Sequence, residues 1–125
     1  MIPLGDVIAQ KLHDVVLNGR YGFDYTFDRK REKNLAFREK YCIDDKKIIS
    51  ILLRLTGAHY IKSEASYNEK HKDDVVHVFM IDEKLIPKYE EDADPVSVSI
   101  YIKVTWPKSD EIMFIISFHE SEERK

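Results

Sequence analysis

Hydrophobic residues recur every three or four positions in the first part of the chain and every second position in the last part. Near the N-terminus this spacing predicts an amphipathic helix over residues 6–17. Asn18 and Gly19 end it, because both residue types tolerate a left-handed backbone. The apolar stripe of this helix consists of Leu4, Val7, Ile8, Leu12, Val15 and Val16.

Two more helices are predicted in the first half. Residues 28–41 are highly charged with a few apolar anchors, which is typical of a helix with one shallow buried edge. The next helix begins at Asp44 or Asp45, either of which can cap it, and runs to Leu55. Between the first two helices, aromatic residues alternate over 21–27, a pattern that fits a short extended segment or a loop held by its rings.

From residue 60 onward the pattern has the period of a β-strand. It predicts four strands, over residues 60–67, 74–81, 96–106 and 112–119. Residues 82–95 carry many acidic side chains and two prolines and are predicted to form a loop.

Alternation along the last two strands assigns side chains to faces. In the 96–106 strand, Val, Ile and Trp side chains share one face, while Tyr101 and Lys103 lie on the other. In the final strand, His119 shares its face with Met113, Ile115 and Ser117, opposite Phe118. We therefore expect one polar sheet face, to which Tyr101, Lys103, His119 and Lys62 contribute.

Helices followed by consecutive antiparallel strands predict an α+β fold with the helices packed on one face of the sheet. We expect a single domain spanning residues 1–125, with a helical part over about 4–57 and an antiparallel sheet over about 59–120. A chain of this size can bury a sufficient core without a metal or a disulfide.

Composition and charge indicate the compartment in which the protein is expected. The chain has 125 residues, a formal net charge of −3 and one cysteine, so an internal disulfide is excluded and a reducing cytoplasm is expected. No apolar run approaches the ~20 residues that span a bilayer, and no membrane association is predicted. Residues 1–72 carry 14 basic and 10 acidic residues, whereas residues 73–125 carry 6 and 13. A basic first half can face phosphate, or it can be an ordinary solvated surface.

The residue types on the predicted polar face suit one kind of chemistry. Lysines neutralise phosphate oxygens, and a histidine or tyrosine can move protons. RNA carries its own nucleophile, the 2′-hydroxyl, so Lys62, Lys103, Tyr101 and His119 fit RNA cleavage without a metal or a cofactor. The same residues also fit a half-exposed antiparallel sheet with no site at all.

The last two thirds of the chain resemble a known family. Residues 100–105, Ile-Tyr-Ile-Lys-Val-Thr, and 114–120, Phe-Ile-Ile-Ser-Phe-His-Glu, are similar to the end of the MqsR-type toxins. His59-Tyr60-Ile61-Lys62-Ser63 resembles the family's Tyr-Lys-Ser strand, and the similarity covers roughly residues 41–120. It implies a RelE-like fold and a messenger-RNA-cleaving toxin that is bound by a cognate antitoxin protein.

The resemblance also implies residue roles. The family's functional lysine and tyrosine fall on Lys62 and Tyr101, and its C-terminal lysine falls on His119, which would serve as proton donor or acceptor. Asp73 stands where the family has glutamine, and a carboxylate there repels phosphate. Lys103 is expected to stabilise the scissile phosphate.

Two alternatives to a nuclease stay open at this point. A non-catalytic module on the same fold would bind RNA through the basic segment that contains Arg29 and Arg31, and it would lose affinity with added salt. A protein-interaction domain would use the acidic 82–95 segment or a sheet edge instead.

Overall fold

The computed structural model describes residues 3–28, 30–65, 74–87, 94–106 and 112–121. In chain order the elements are α1 (Leu4–Asn18), β1 (Tyr25–Phe27), α2 (Glu32–Lys40), α3 (Asp45–Leu53), a 3₁₀ turn (Gly57–His59), β2 (Tyr60–Ala65), β3 (Val75–Leu85), β4 (Val96–Thr105) and β5 (Met113–Glu120). The three predicted helices and four predicted strands are present, so the α+β class is confirmed. No helix in the described ranges combines the length and the apolar character needed to cross a bilayer.

The helix boundaries follow local capping chemistry. Asp44 precedes α3, and its carboxylate accepts a hydrogen bond from the backbone nitrogen of Lys47 at 2.8 Å. This contact satisfies one of the amide groups that a helix leaves unpaired at its N-terminus. α2 is shorter than the predicted 28–41 helix, because the carboxylate of Asp28 instead accepts from the backbone nitrogens of Lys30 and Arg31.

One five-stranded sheet has the order β1-β5-β4-β3-β2. The strands from β2 to β5 are antiparallel neighbours, whereas β1 pairs with β5 in parallel. The antiparallel sheet predicted over about 59–120 is confirmed for β2 to β5. The parallel strand β1, which was not predicted to join this sheet, makes the whole sheet mixed. The edge strand comes from the aromatic 21–27 segment, where Tyr25 and Phe27 point into the core.

β3 is longer than predicted. It continues past residue 81 to Leu85 and keeps pairing with β4 down to Val96, so residues 82–85 are strand and not loop. Residues 88–93 of the predicted 82–95 loop lie outside the described residues.

The helices cover one face of the sheet and form the core with it. The fully buried centre contains Leu12 of α1, Ile51 and Leu52 of α3, and Phe79 and Ile102 of the sheet. Burying such side chains contributes about 1.5–3 kcal/mol each relative to leaving them in water. The two faces of the sheet therefore differ. The second face carries polar side chains beside Val76 and Val78 of β3, which are buried but lie outside this core.

A β-bulge at Ile116 changes which side chains of β5 face the helices. Val104 pairs with Ile115, but Lys103 pairs with Ser117, so one residue of β5 is extra. Met113 and Ile115 face the core before the bulge, and Phe118 faces it afterwards. The predicted strict alternation, with Met113 and Ile115 on the His119 face, was therefore wrong.

Past the end of β1, the outer edge of β5 bonds to a side chain instead of a strand. Asn34 of α2 is buried, and its Nδ2 donates to the carbonyl of Ile116 at 2.9 Å while its Oδ1 accepts from the backbone nitrogen of Phe118 at 3.0 Å. The amide thus replaces the next strand of the ladder, at a position where the backbone would otherwise lack partners.

Candidate functional site

Strand register brings four of the seven predicted site residues to the sheet face that lies opposite the helices, which we call the polar face. Lys62 of β2 lies opposite Val78, and Val78 lies opposite Lys103 of β4. In the next row, Tyr101 lies opposite His119. Since neighbouring strands are about 4.8 Å apart, the backbones of Lys62 and Lys103 are separated by roughly 10 Å.

A carboxylate joins the two lysines. Glu64 of β2 accepts from the Nζ of Lys62 at 3.2 Å through one oxygen and from the Nζ of Lys103 at 3.1 Å through the other. Lys62 is 55% exposed, whereas Lys103 and Glu64 are only 18% and 16% exposed. We refer to these three residues as the Lys–Glu–Lys cluster. It carries one net positive charge and holds two ammonium groups in place.

Burial and the lysines act on Glu64 in opposite directions. Burial, the largest single influence, raises the pKa of this carboxyl group, but hydrogen bonds and charge attraction from Lys103 and Lys62 together outweigh it. The pKa of Glu64 is therefore lowered from its ordinary value, and the group is ionised at neutral pH.

Tyr101 and His119 form a stacked pair beside this cluster. Their ring centroids are 5.6 Å apart with an angle of 29° between the planes, and the Nζ of Lys103 lies 5.6 Å from the centre of the Tyr101 ring. His119 is 7% exposed, and its Nδ1 lies 2.9 Å from the carbonyl oxygen of Glu120. Because a carbonyl only accepts, Nδ1 carries a hydrogen, and Nε2 is the basic nitrogen of the neutral ring.

The Lys–Glu–Lys cluster and the stacked pair together contain four of the seven residues predicted to form the site: Lys62, Lys103, Tyr101 and His119. Arg31 is exposed at the start of α2, and within the described part of the chain no hydrogen bond or ion pair joins it to these four residues. Arg29 and Asp73 lie outside the described residues.

Glu64 is the member of the site that sequence reasoning missed. It stands two residues after Lys62, so the β-strand period alone puts both on one face, and this was the signal that could have found it. Its link to Lys103 depends on the pairing of β2, β3 and β4, which no local pattern reveals.

A second polar group lies on the other face, near the edge formed by β2. The Oγ of Ser63 is 2.9 Å from Nδ1 of His77 and also contacts the hydroxyl of Tyr60. Burial, and then the charge of Lys11, lower the pKa of His77. The His77 ring also packs against Trp106, with centroids 5.7 Å apart. These contacts join β2 to β3 and to Trp106, which follows β4.

The described residues contain no group of three His, Cys, Asp or Glu side chains arranged to hold a metal ion. Comparisons of the chain with protein-family models, with curated proteins and with solved structures found no match. A functional assignment therefore depends on the chemistry of the polar face and on the sequence resemblance described above.

Proposed function

We propose that this protein is an endoribonuclease that cleaves RNA on the polar face without using a metal ion. The observation that carries the proposal is the arrangement of two lysines, held by one glutamate, beside a stacked tyrosine and histidine. This combination supplies positive charge for a phosphate, a surface for a base and an imidazole that can accept a proton.

The lysines are the anion-binding part of the site. Lys62 is largely exposed, and Lys103 lies between it and the Tyr101 ring. Their ammonium groups stabilise the extra negative charge that develops on the phosphorus oxygens during cleavage. Glu64 has a lowered pKa, which makes it a weak base, and its role is to position the lysines.

His119 is the proton acceptor in this proposal. Its Nε2 takes the proton of the 2′-hydroxyl, the 2′-oxygen bonds to phosphorus and the bond from phosphorus to the 5′-oxygen breaks. The Lys103 ammonium donates a proton to the departing 5′-oxygen. The products are a 2′,3′-cyclic phosphate and a 5′-hydroxyl. Because His119 is buried, Tyr101 moves aside or stacks on a base when RNA enters.

The proposal extends to the biological class. The resemblance of residues 41–120 to the MqsR-type toxins supports a RelE-like fold and a role as the toxin of a type II toxin–antitoxin system. A cognate antitoxin protein would then cover the polar face and block access to Lys62.

The test is incubation of the purified protein with a long RNA in excess EDTA, with fragment ends mapped. We expect discrete cuts that end in 2′,3′-cyclic phosphate and that are lost in Lys62→Ala and His119→Ala. Lys46→Ala removes another exposed lysine, on α3, and serves as the matched control, which should keep full activity. Far-UV and near-UV circular dichroism checks that each variant is folded.

RNA that stays intact, both alone and with ribosomes, would contradict the nuclease proposal. Salt-sensitive RNA binding without cuts would favour the non-catalytic RNA-binding module instead. Cuts that persist in both Lys62→Ala and His119→Ala would show that the polar face is not the active site.

A further inference from the structure

A cleft opens on the polar face next to Tyr101, at the position where β2 begins. β3 runs on beyond the last residue that pairs with β2, and the 3₁₀ turn Gly57–His59 flanks the space that remains. The cleft has a volume of about 630 Å³, within the range of roughly 300–1,000 Å³ that small-molecule sites occupy. Its lining consists of Ala58, His59, Tyr60, Ile61, Met80, Asp82 and Ser99.

The cleft combines apolar and ring surfaces with one acidic group. Met80 and Ile61 supply apolar contact, and His59 supplies a ring on which a flat ligand can stack. Among the described residues that line the cleft, Asp82 is the one carboxylate. This composition suits a flat heterocycle that donates hydrogen bonds.

Asp82 is held in place by its cross-strand neighbour. The hydroxyl of Ser99 donates to Oδ1 of Asp82 at 2.6 Å. Among the described residues, Oδ2 of Asp82 has no hydrogen-bond partner. Since each carboxylate oxygen can accept more than one hydrogen bond, both oxygens can accept from a ligand while the Ser99 bond persists.

From this geometry we infer that the cleft binds a guanine base of single-stranded RNA, with Asp82 as the residue that selects it. Guanine presents two adjacent donors on its Watson–Crick edge, the N1 hydrogen and the N2 amino group, which match the two oxygens of a carboxylate. Adenine and cytosine place an acceptor nitrogen beside their amino group, and a carboxylate repels that nitrogen. Uracil places carbonyl oxygens on both sides of its single donor.

Strand register places the cleft beside the stacked pair of Tyr101 and His119. Met80 lies directly opposite Tyr101, and Tyr101 lies opposite His119. A base in the cleft is thus two strands, or roughly 10 Å, from His119. The inference deepens the proposed function and rests on it for the identity of RNA as the ligand.

The test uses mononucleotides, so that binding is measured without cleavage. The 5′-monophosphates of guanosine, inosine, adenosine, cytidine and uridine are titrated into the full chain, and the backbone amide signals of Met80 and Ser99 are followed by NMR. Inosine lacks only the N2 amino group of guanosine. We expect the guanosine nucleotide to bind at least about tenfold tighter than the other four, as one good bidentate contact provides.

Asp82→Asn is the key variant and Asp94→Asn, an exposed aspartate that does not line the cleft, is its matched control. In Asp82→Asn the ratio of guanosine to inosine affinity should fall to about one, while Asp94→Asn should keep the wild-type ratio. Equal binding of all five nucleotides, no binding of any, or an unchanged ratio in Asp82→Asn would overturn the inference.

The two proposals can fail separately. Guanine-selective binding by a protein that leaves RNA intact would keep this pocket and remove the nuclease. RNA cuts without guanine preference, combined with equal nucleotide binding, would keep the nuclease and remove the pocket.

Discussion

Replacement of Asn34 by alanine should destabilise the protein strongly, because this side chain acts as the missing strand beside β5. Asn34 is 5% exposed and bonds to the backbone of Ile116 and Phe118, with a longer contact of 3.4 Å from Nδ2 to the carbonyl of Asp28. Truncation leaves the buried N–H of Phe118 and the partly buried C=O of Ile116 without partners. A fully buried polar group without a partner costs about 1–3 kcal/mol, and a partly buried one costs less. We expect a total loss of about 2–4 kcal/mol, a large share of the total for a typical domain.

The assay is urea unfolding followed by circular dichroism, with free energies from linear extrapolation. Asn18→Ala, at the exposed end of α1, is the control and should change stability by less than about 0.5 kcal/mol. Asn34→Asp keeps an acceptor for Phe118 but places an oxygen against the carbonyl of Ile116, so it should be no more stable than Asn34→Ala. If Asn34→Ala lost less than about 0.5 kcal/mol, the strand-replacement argument would be refuted.

The pKa shifts give two further predictions. The pKa of Glu64 is lowered in the folded state. The stability that this group contributes is therefore present above its unfolded pKa and is lost as the pH falls through its folded pKa. In Glu64→Gln, thermal unfolding should show a stability that depends less on pH in the acid range. His77 also has a lowered pKa, below its ordinary 6.5, so the folded protein should lose stability as pH falls below that value. His77→Gln should reduce this slope, and an NMR titration that finds a raised His77 pKa would contradict the reasoning.

The loss of the Asn34 side chain should also affect the polar face. Phe118, which Asn34 holds, directly precedes His119, so a weakened β5 edge should expose residues 117–119 to amide hydrogen exchange before the rest of the sheet. Such local opening would displace the His119 ring from Tyr101. RNA cleavage, if the proposal holds, should therefore fall more in Asn34→Ala than the folded fraction alone explains.

Local patterns were sufficient for the elements that bury one regular face. The cap at Asp44 and the alternation of β4 each depend on neighbours within a few residues, and both agree with the prediction. The predicted apolar stripe of α1 was right for Ile8, Leu12 and Val16, which are buried. It was wrong for Leu4 and Val7, which are 56% and 46% exposed. The strand period likewise placed Lys62, Tyr101 and Lys103 on the polar face, because side-chain direction in a regular strand depends only on parity.

Long-range pairing decided the rest. The parallel partnership of β1 with β5 brings together Tyr25 and Met113, which are far apart in the chain, and no local pattern records such a partner. The bulge at Ile116 shifts parity within one strand, so Met113 and Phe118 both reach the core while His119 still lies on the polar face. Glu64 became part of the site only through the register of three strands, since a contact across a sheet depends on which strands are neighbours and how they are aligned.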